Sequence, residues 1–80
     1  MIVTVLLFAR YGEAAGASRL EVEVPPDATL AEVWAQVRAC VPALAGEDRP
    51  LFSCDRIYAR ADRTVTGREE IAIFPPVGGG

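Results

Sequence analysis

The sequence predicts a single α+β domain: a mixed sheet of four to five strands packed on one main helix, with a glycine-rich tail behind it. Three observations carry this. Apolar strand patterns stand near both ends of the chain, over residues 2–9 and 70–74. One capped amphipathic helix lies between them, starting at Thr29. Finally, 80 residues, 51% of them apolar, supply one core and leave little room for a deep internal pocket.

Residues 2–9 form the first strand. Val3, Val5, Leu7 and Ala9 share one face; Ile2, Leu6 and Phe8 share the other. A half-exposed strand alternates apolar with polar, so a strand apolar on both faces belongs inside the sheet, with its second face free for a partner. The run lacks a positive n-region and is too short to span a bilayer, which argues against a signal peptide or anchor and for a cytoplasmic protein. Residues 11–18, with two glycines and three alanines, read as a connection.

Residues 19–24 alternate: Leu20, Val22 and Val24 point one way, Arg19, Glu21 and Glu23 the other. Pro25 and Pro26 end this strand, because proline cannot donate to a ladder. At the helix start, Thr29-Leu30-Ala31-Glu32 is a capping box, in which each side chain satisfies a free backbone N–H of the first turn. Leu30, Val33, Trp34, Val37 and Val41 form its apolar stripe, so Trp34 reads as a core anchor; Pro42 marks the end.

Residues 42–50 read as a loop. Residues 51–61 read as a strand region interrupted at Asp55 and Arg56, and residues 64–66 as a short edge strand before a turn at Gly67. Residues 70–74 close the order. The most economical packing places the first and last strands side by side in the middle, which is the β-grasp arrangement. Residues 1–75 then make the domain and 76–80 the tail.

The tail is the informative segment: Pro75-Pro76-Val77-Gly78-Gly79-Gly80, directly after Phe74. The prolines stop the strand and favour extended backbone. The glycines carry no Cβ, so this end is slim enough to thread a narrow channel. The six residues from Pro75 reach at most about 20 Å. The group delivered at the tip is the α-carboxylate of Gly80. It is ionised near neutral pH and is a poor electrophile until activated, for instance as a mixed anhydride with AMP. Recognition then belongs to the body and chemistry to Gly80.

Composition excludes several other classes. Net charge is −3 and the pI is about 4.8, with no basic face for nucleic acid. All eight basic residues are arginine; lysine, histidine and asparagine are absent. Without histidine the usual proton-transfer group near neutral pH is missing. Cys40 and Cys54 read as small apolar fillers in a reducing compartment. No nucleophile–base pair, metal-ligand cluster or phosphate loop is visible, so a free-standing enzyme is disfavoured and no bound metal or cofactor is expected.

The ending, residues 71–80, resembles the terminus of the MoaD-like sulfur carriers, the small subunits of molybdopterin synthase, within the ubiquitin-like MoaD/ThiS group. That group ends in an apolar strand, Phe-Pro-Pro-Val, a small residue and Gly-Gly. The opening Val5-Leu6-Leu7-Phe8-Ala9-Arg10 followed by Glu13-Ala14-Ala15-Gly16 resembles the group's first strand and turn. Gly78 stands where Ser or Thr is frequent, and Ala59-Arg60-Ala61-Asp62 where an Asn-containing stretch is usual.

The resemblance implies the β-grasp fold and adenylation of Gly80 by an activating enzyme of the ubiquitin E1 kind (MoeB-like), which consumes the ATP. It implies conversion to a thiocarboxylate and sulfur donation to a cyclic pyranopterin precursor. The site lies on a large, MoaE-like catalytic subunit, in a heterotetramer with two copies of each chain. The residues themselves suggest where that partner docks. Phe8 and Phe74 fall on the strand faces opposite Val5, Leu7, Ile71 and Ile73, and together would make an exposed apolar patch beside the tail; the alternative is that one or both are core. Sulfur carriage for thiazole synthesis or tRNA thiolation, and conjugation of Gly80 to a target lysine, remain open beside the molybdopterin role.

Overall fold

The computed structural model describes residues 1–76. In chain order it holds β1 (Ile2–Leu7), α1 (Arg10–Ala15), β2 (Arg19–Glu23), α2 (Leu30–Cys40), a 3₁₀ turn (Pro42–Leu44), β3 (Leu51–Cys54), β4 (Ile57–Ala59) and β5 (Ile71–Phe74). The strands form one mixed sheet in the order β2-β1-β5-β3-β4. β1 and β5 pair in parallel at its centre, with Val5 opposite Ile71 and Leu7 opposite Ile73; the other pairings are antiparallel. This is the β-grasp arrangement.

One face of the sheet packs on α2. Val3, Val5 and Leu7 of β1, Val22 of β2, Phe52 and Cys54 of β3, and Ile71 and Ile73 of β5 are buried there against Leu30, Val33, Trp34 and Val37. The capping box is present: Thr29 Oγ1 accepts from Glu32 N at 3.3 Å, and Glu32 Oε1 accepts from Thr29 N at 3.0 Å. Trp34 is a core residue, 4% exposed, with Nε1 donating to Glu47 O at 3.0 Å.

Four local differences from the sequence reading have physical causes. β1 stops at Leu7, because Phe8-Ala9-Arg10-Tyr11 is a tight turn: Tyr11 N donates to Phe8 O at 3.1 Å and Ala9 takes φ 52°, ψ −133°, a conformation strained for an L-residue. Ala9 is accordingly exposed and outside the buried row. The connection at 11–18 contains α1, whose Tyr11 is fully buried, its ring centroid 5.0 Å from that of Trp34. The interruption at Asp55 and Arg56 is a two-residue hairpin turn, both residues at positive φ (51° and 71°), so 51–61 is two strands. Residues 64–66 join the sheet nowhere; Thr64 makes one isolated bridge to Thr29, and Val65 is buried in the core.

Candidate functional site

The central strand β5 aims the chain out of the fold. Its last ladder contacts are Leu51 opposite Phe74 on one side and a hydrogen bond from Phe8 N to Ile73 O, 3.3 Å, on the other. Pro75 and Pro76 have no N–H, so pairing ends there. Both prolines are half-buried and, with Phe8, Ala9, Arg10 and Phe74, line a concavity of about 360 Å³. The base of the tail is thus set against the strained turn at Ala9. Val77, Gly78, Gly79 and Gly80 lie outside the described residues.

The sheet face away from α2 carries the second part of the site. Residues that alternate with the core row form it: Leu6 and Phe8 at β1, Ala72 and Phe74 on β5, Ser53 on β3, Tyr58 on β4. With Arg56 and Glu70 at the margin they line a shallow concavity of about 450 Å³. Phe8 and Phe74 stack with ring centroids 4.8 Å apart and planes 17° from parallel; Tyr58 tilts against Phe74 at 6.3 Å. Phe8 is 42% exposed and Tyr58 74%. The structure therefore brings Phe8 and Phe74 together on the outer face, beside Pro75 and Pro76, and makes neither a core residue.

Tyr58 was missed by the sequence pattern. Recognising Asp55-Arg56 as a hairpin turn would have found it, since that register sets Tyr58 opposite Ser53 and Ser53 opposite Ala72. The turn is pinned to β5: Asp55 N donates to Glu70 O and Glu70 N donates to Asp55 Oδ1, both at 2.9 Å.

Beside the tail base, Arg10 Nη2 bonds Glu47 Oε1 at 2.9 Å. This contact raises the pKa of Arg10 and lowers that of Glu47. It closes loop 45–50 over the Tyr11–Trp34 pair, and burial pushes the Tyr11 phenol up. The thiol of Cys54 is buried and its pKa is raised by that burial, the setting of a filler and not of a nucleophile. Among the described residues no group of His, Cys, Asp and Glu side chains is placed to hold a metal ion, and no helix is long and apolar enough to cross a membrane.

A β-grasp body whose central strand ends in Phe74-Pro75-Pro76, ahead of a glycine-rich terminus in the sequence, is built in a way that can present a terminal group to another protein. Comparison with known proteins gives the family. The model of the ThiS family matches residues 5–80. The chain belongs to the ThiS family of ubiquitin-like sulfur carriers. A relative, small archaeal modifier protein 1 of Haloferax volcanii, is 31% identical over 92% of this chain and 95% of its own length. A crystal structure of SAMP1 from that organism superposes with a TM-score of 0.85 at 27% identity, covering 100% of both chains. A Pyrococcus furiosus protein designated molybdopterin converting factor, subunit 1, shares the fold: TM-score 0.82, 22% identity, 96% of this chain and 99% of that one.

Proposed function

We propose that this ThiS-family chain is the sulfur-carrying small subunit of molybdopterin synthase. The observation that carries the reading is the segment Phe74-Pro75-Pro76-Val77-Gly78-Gly79-Gly80, leaving the central strand beside the stacked Phe8 and Phe74. In this reading an E1-like, MoeB-like enzyme uses ATP to adenylate the Gly80 carboxylate. Activation is needed because the ionised carboxylate resists attack. Sulfur then replaces one oxygen, giving a thiocarboxylate. The outer face, with Phe8 and Phe74 at its centre, docks on a MoaE-like large subunit in a heterotetramer, and residues 75–80 enter its active site. There the sulfur passes to a cyclic pyranopterin precursor. The chain itself contributes the terminal group and its delivery, binds no cofactor of its own, and works in the cytoplasm.

The slimness of the arm supports this assignment of labour. Each of Gly78, Gly79 and Gly80 lacks a side chain, so a channel through the partner needs to be only backbone-wide. Pro75 and Pro76 favour extended backbone at the base of the arm.

Reconstitution tests it. The chain carrying a Gly80 thiocarboxylate, mixed with a molybdopterin synthase large subunit and the cyclic precursor, is expected to yield the dithiolene product and return the free carboxylate. No product, with sulfur passing instead to tRNA or to a thiazole precursor, would reassign the pathway. A second reading has its own support, the 31% identity to a protein named as a modifier. It expects Gly80 joined to lysines of other proteins, visible as Gly-Gly remnants on those lysines after proteolysis.

A further inference from the structure

We infer that the free edge of β4 docks an extended, acidic segment of a partner protein, which adds to the five-stranded sheet as a further strand beside Tyr58. The inference stands apart from the proposed sulfur chemistry and makes no use of the terminal arm.

β4 is the last strand of the order, so one side of it pairs with β3 and the other with no strand. Register decides which of its backbone groups are free. In a two-residue hairpin the residues flanking the turn exchange hydrogen bonds, and bonded pairs alternate with non-bonded ones along the ladder. Cys54 and Ile57 flank the Asp55-Arg56 turn, and Phe52 stands opposite Ala59. Ile57 and Ala59 therefore bond β3, and the N–H and C=O of Tyr58, between them, point out of the sheet. The bond from Asp55 N to Glu70 O sets the same phase from the other side of β3.

Folded proteins blunt a free edge with charge, proline or a bulge. The opposite edge, β2, carries Arg19, Glu21 and Glu23, all exposed. β4 does the reverse: Ile57 and Tyr58, at 71% and 74%, are the most exposed large apolar side chains among the described residues. Beside them Pro50, Leu51, Ala59 and Arg60 help to line a concavity of about 570 Å³.

Charge selects the occupant. Residues 49–63 carry four arginines and two aspartates, while the rest of the chain carries four arginines and nine acidic residues. The segment that builds this edge is thus positive in a molecule that is negative overall. Arg56 and Arg60 flank Tyr58: Arg56 lines the outer-face concavity with it and Arg60 the edge concavity. Their ion pairs, to Glu70 at 3.8 Å and to Asp62 at 3.9 Å, are long and exposed, so either guanidinium can turn to another carboxylate at little cost. A second copy fits poorly, because antiparallel pairing about Tyr58 sets Arg56 of each chain against Arg60 of the other. A partner strand reading acidic, any, apolar, any, acidic fits well. Its central residue exchanges two backbone hydrogen bonds with Tyr58, and its carboxylates meet the two arginines.

The test titrates the isotope-labelled full chain with an end-blocked peptide, Thr-Glu-Thr-Val-Thr-Glu-Thr, and follows backbone amides by NMR. One control peptide is N-methylated at the valine, which removes a hydrogen bond to Tyr58; another carries lysine for both glutamates. Arg60→Glu, at an exposed position, is titrated in parallel, with its unbound spectrum confirming the fold.

Saturable shifts centred on the Tyr58 and Arg60 amides are expected. Each control peptide, and the original peptide on Arg60→Glu, is expected to bind about tenfold more weakly or worse. No shift at β4 overturns the inference. So does an N-methylated peptide that binds equally well, since no strand is then added. Shifts of the same amides when the chain alone is concentrated overturn it in favour of self-pairing.

Discussion

The two faces of the sheet are made by alternating residues of the same strands, yet they answer to different demands. Ile71 and Ile73 are fully buried against α2. Their neighbours Ala72 and Phe74 look outward into the concavity shared with Leu6, Phe8 and Tyr58. The inner face holds the fold together, since each of its side chains is removed from water. The outer face leaves large apolar groups in water, including Phe8 at 42% and Tyr58 at 74% exposure, beside polar Ser53. In the reading proposed above, such a face contributes little to folding and serves to dock a partner. In a period-2 element one residue step separates a side chain buried in the core from one left at the surface.

Mutation on either side of that step breaks or upholds the comparison. The largest effect is expected on the inner face. Ile73→Ala removes a fully buried side chain at the centre of the sheet and is expected to cost about 2–5 kcal/mol in urea unfolding. One step on, Phe74→Ala is expected to weaken binding to the large subunit by about 2 kcal/mol or more, measured by calorimetry. Its cost to folding is the smaller one, about 1 kcal/mol for the lost stack on Phe8. Equal losses in both measurements would make Phe74 a core residue and dissolve the distinction between the faces.

A smaller effect sharpens it at the boundary, where β1 turns into α1. Ala9 sits at φ 52°, where a side chain is strained and glycine is not. Ala9→Gly is expected to stabilise by about 1 kcal/mol, raising Tm by about 4–8 °C in scanning calorimetry. Binding to the large subunit should be unchanged if the turn is only a support for the tail base.

The smallest effect is acid-dependent, at the outer-face margin. Burial pushes the Glu69 carboxyl up, but the hydrogen bonds it accepts from its own backbone N–H and from Thr66 and Gly67 together outweigh this, and its pKa is lowered on balance. A depressed folded value gives stability that is present above the ordinary glutamate pKa and lost as pH falls through the folded one. Glu69→Gln is therefore expected to be less stable than wild type at neutral pH by a few tenths of a kcal/mol up to about 1, with the gap closing in acid. A gap that is constant with pH would mean that the carboxylate's charge plays no part.

Much of this design was legible in the residues. The apolar pattern of β1, the alternation of β2, the capping box and the Leu30–Val33–Trp34–Val37 stripe each follow local periodicity, and each lies where periodicity puts it. What escaped was set by backbone strain or distant contacts. Asp55 and Arg56 look like a polar break; they turn left-handed because β3 and β4 pair and Glu70 holds Asp55 from across the fold. The helix α1, only six residues long and with Gly12 inside it, has little stability of its own; burial of Tyr11 against Trp34 and the Arg10–Glu47 bond fix it. Tyr58 joined the site only once the hairpin register was known.

The account depends on a main-chain carboxylate, not a side chain, being the reactive group. Its most direct test is intact mass of the wild-type chain and of a chain lacking Gly80, each incubated with ATP, an E1-like activating enzyme and a sulfide source. The wild type is predicted to gain AMP and then to exchange one oxygen for one sulfur, both changes mapping to Gly80, while the shortened chain stays folded and gains neither. Equal loading of the shortened chain, or an adduct on any side chain, would contradict it.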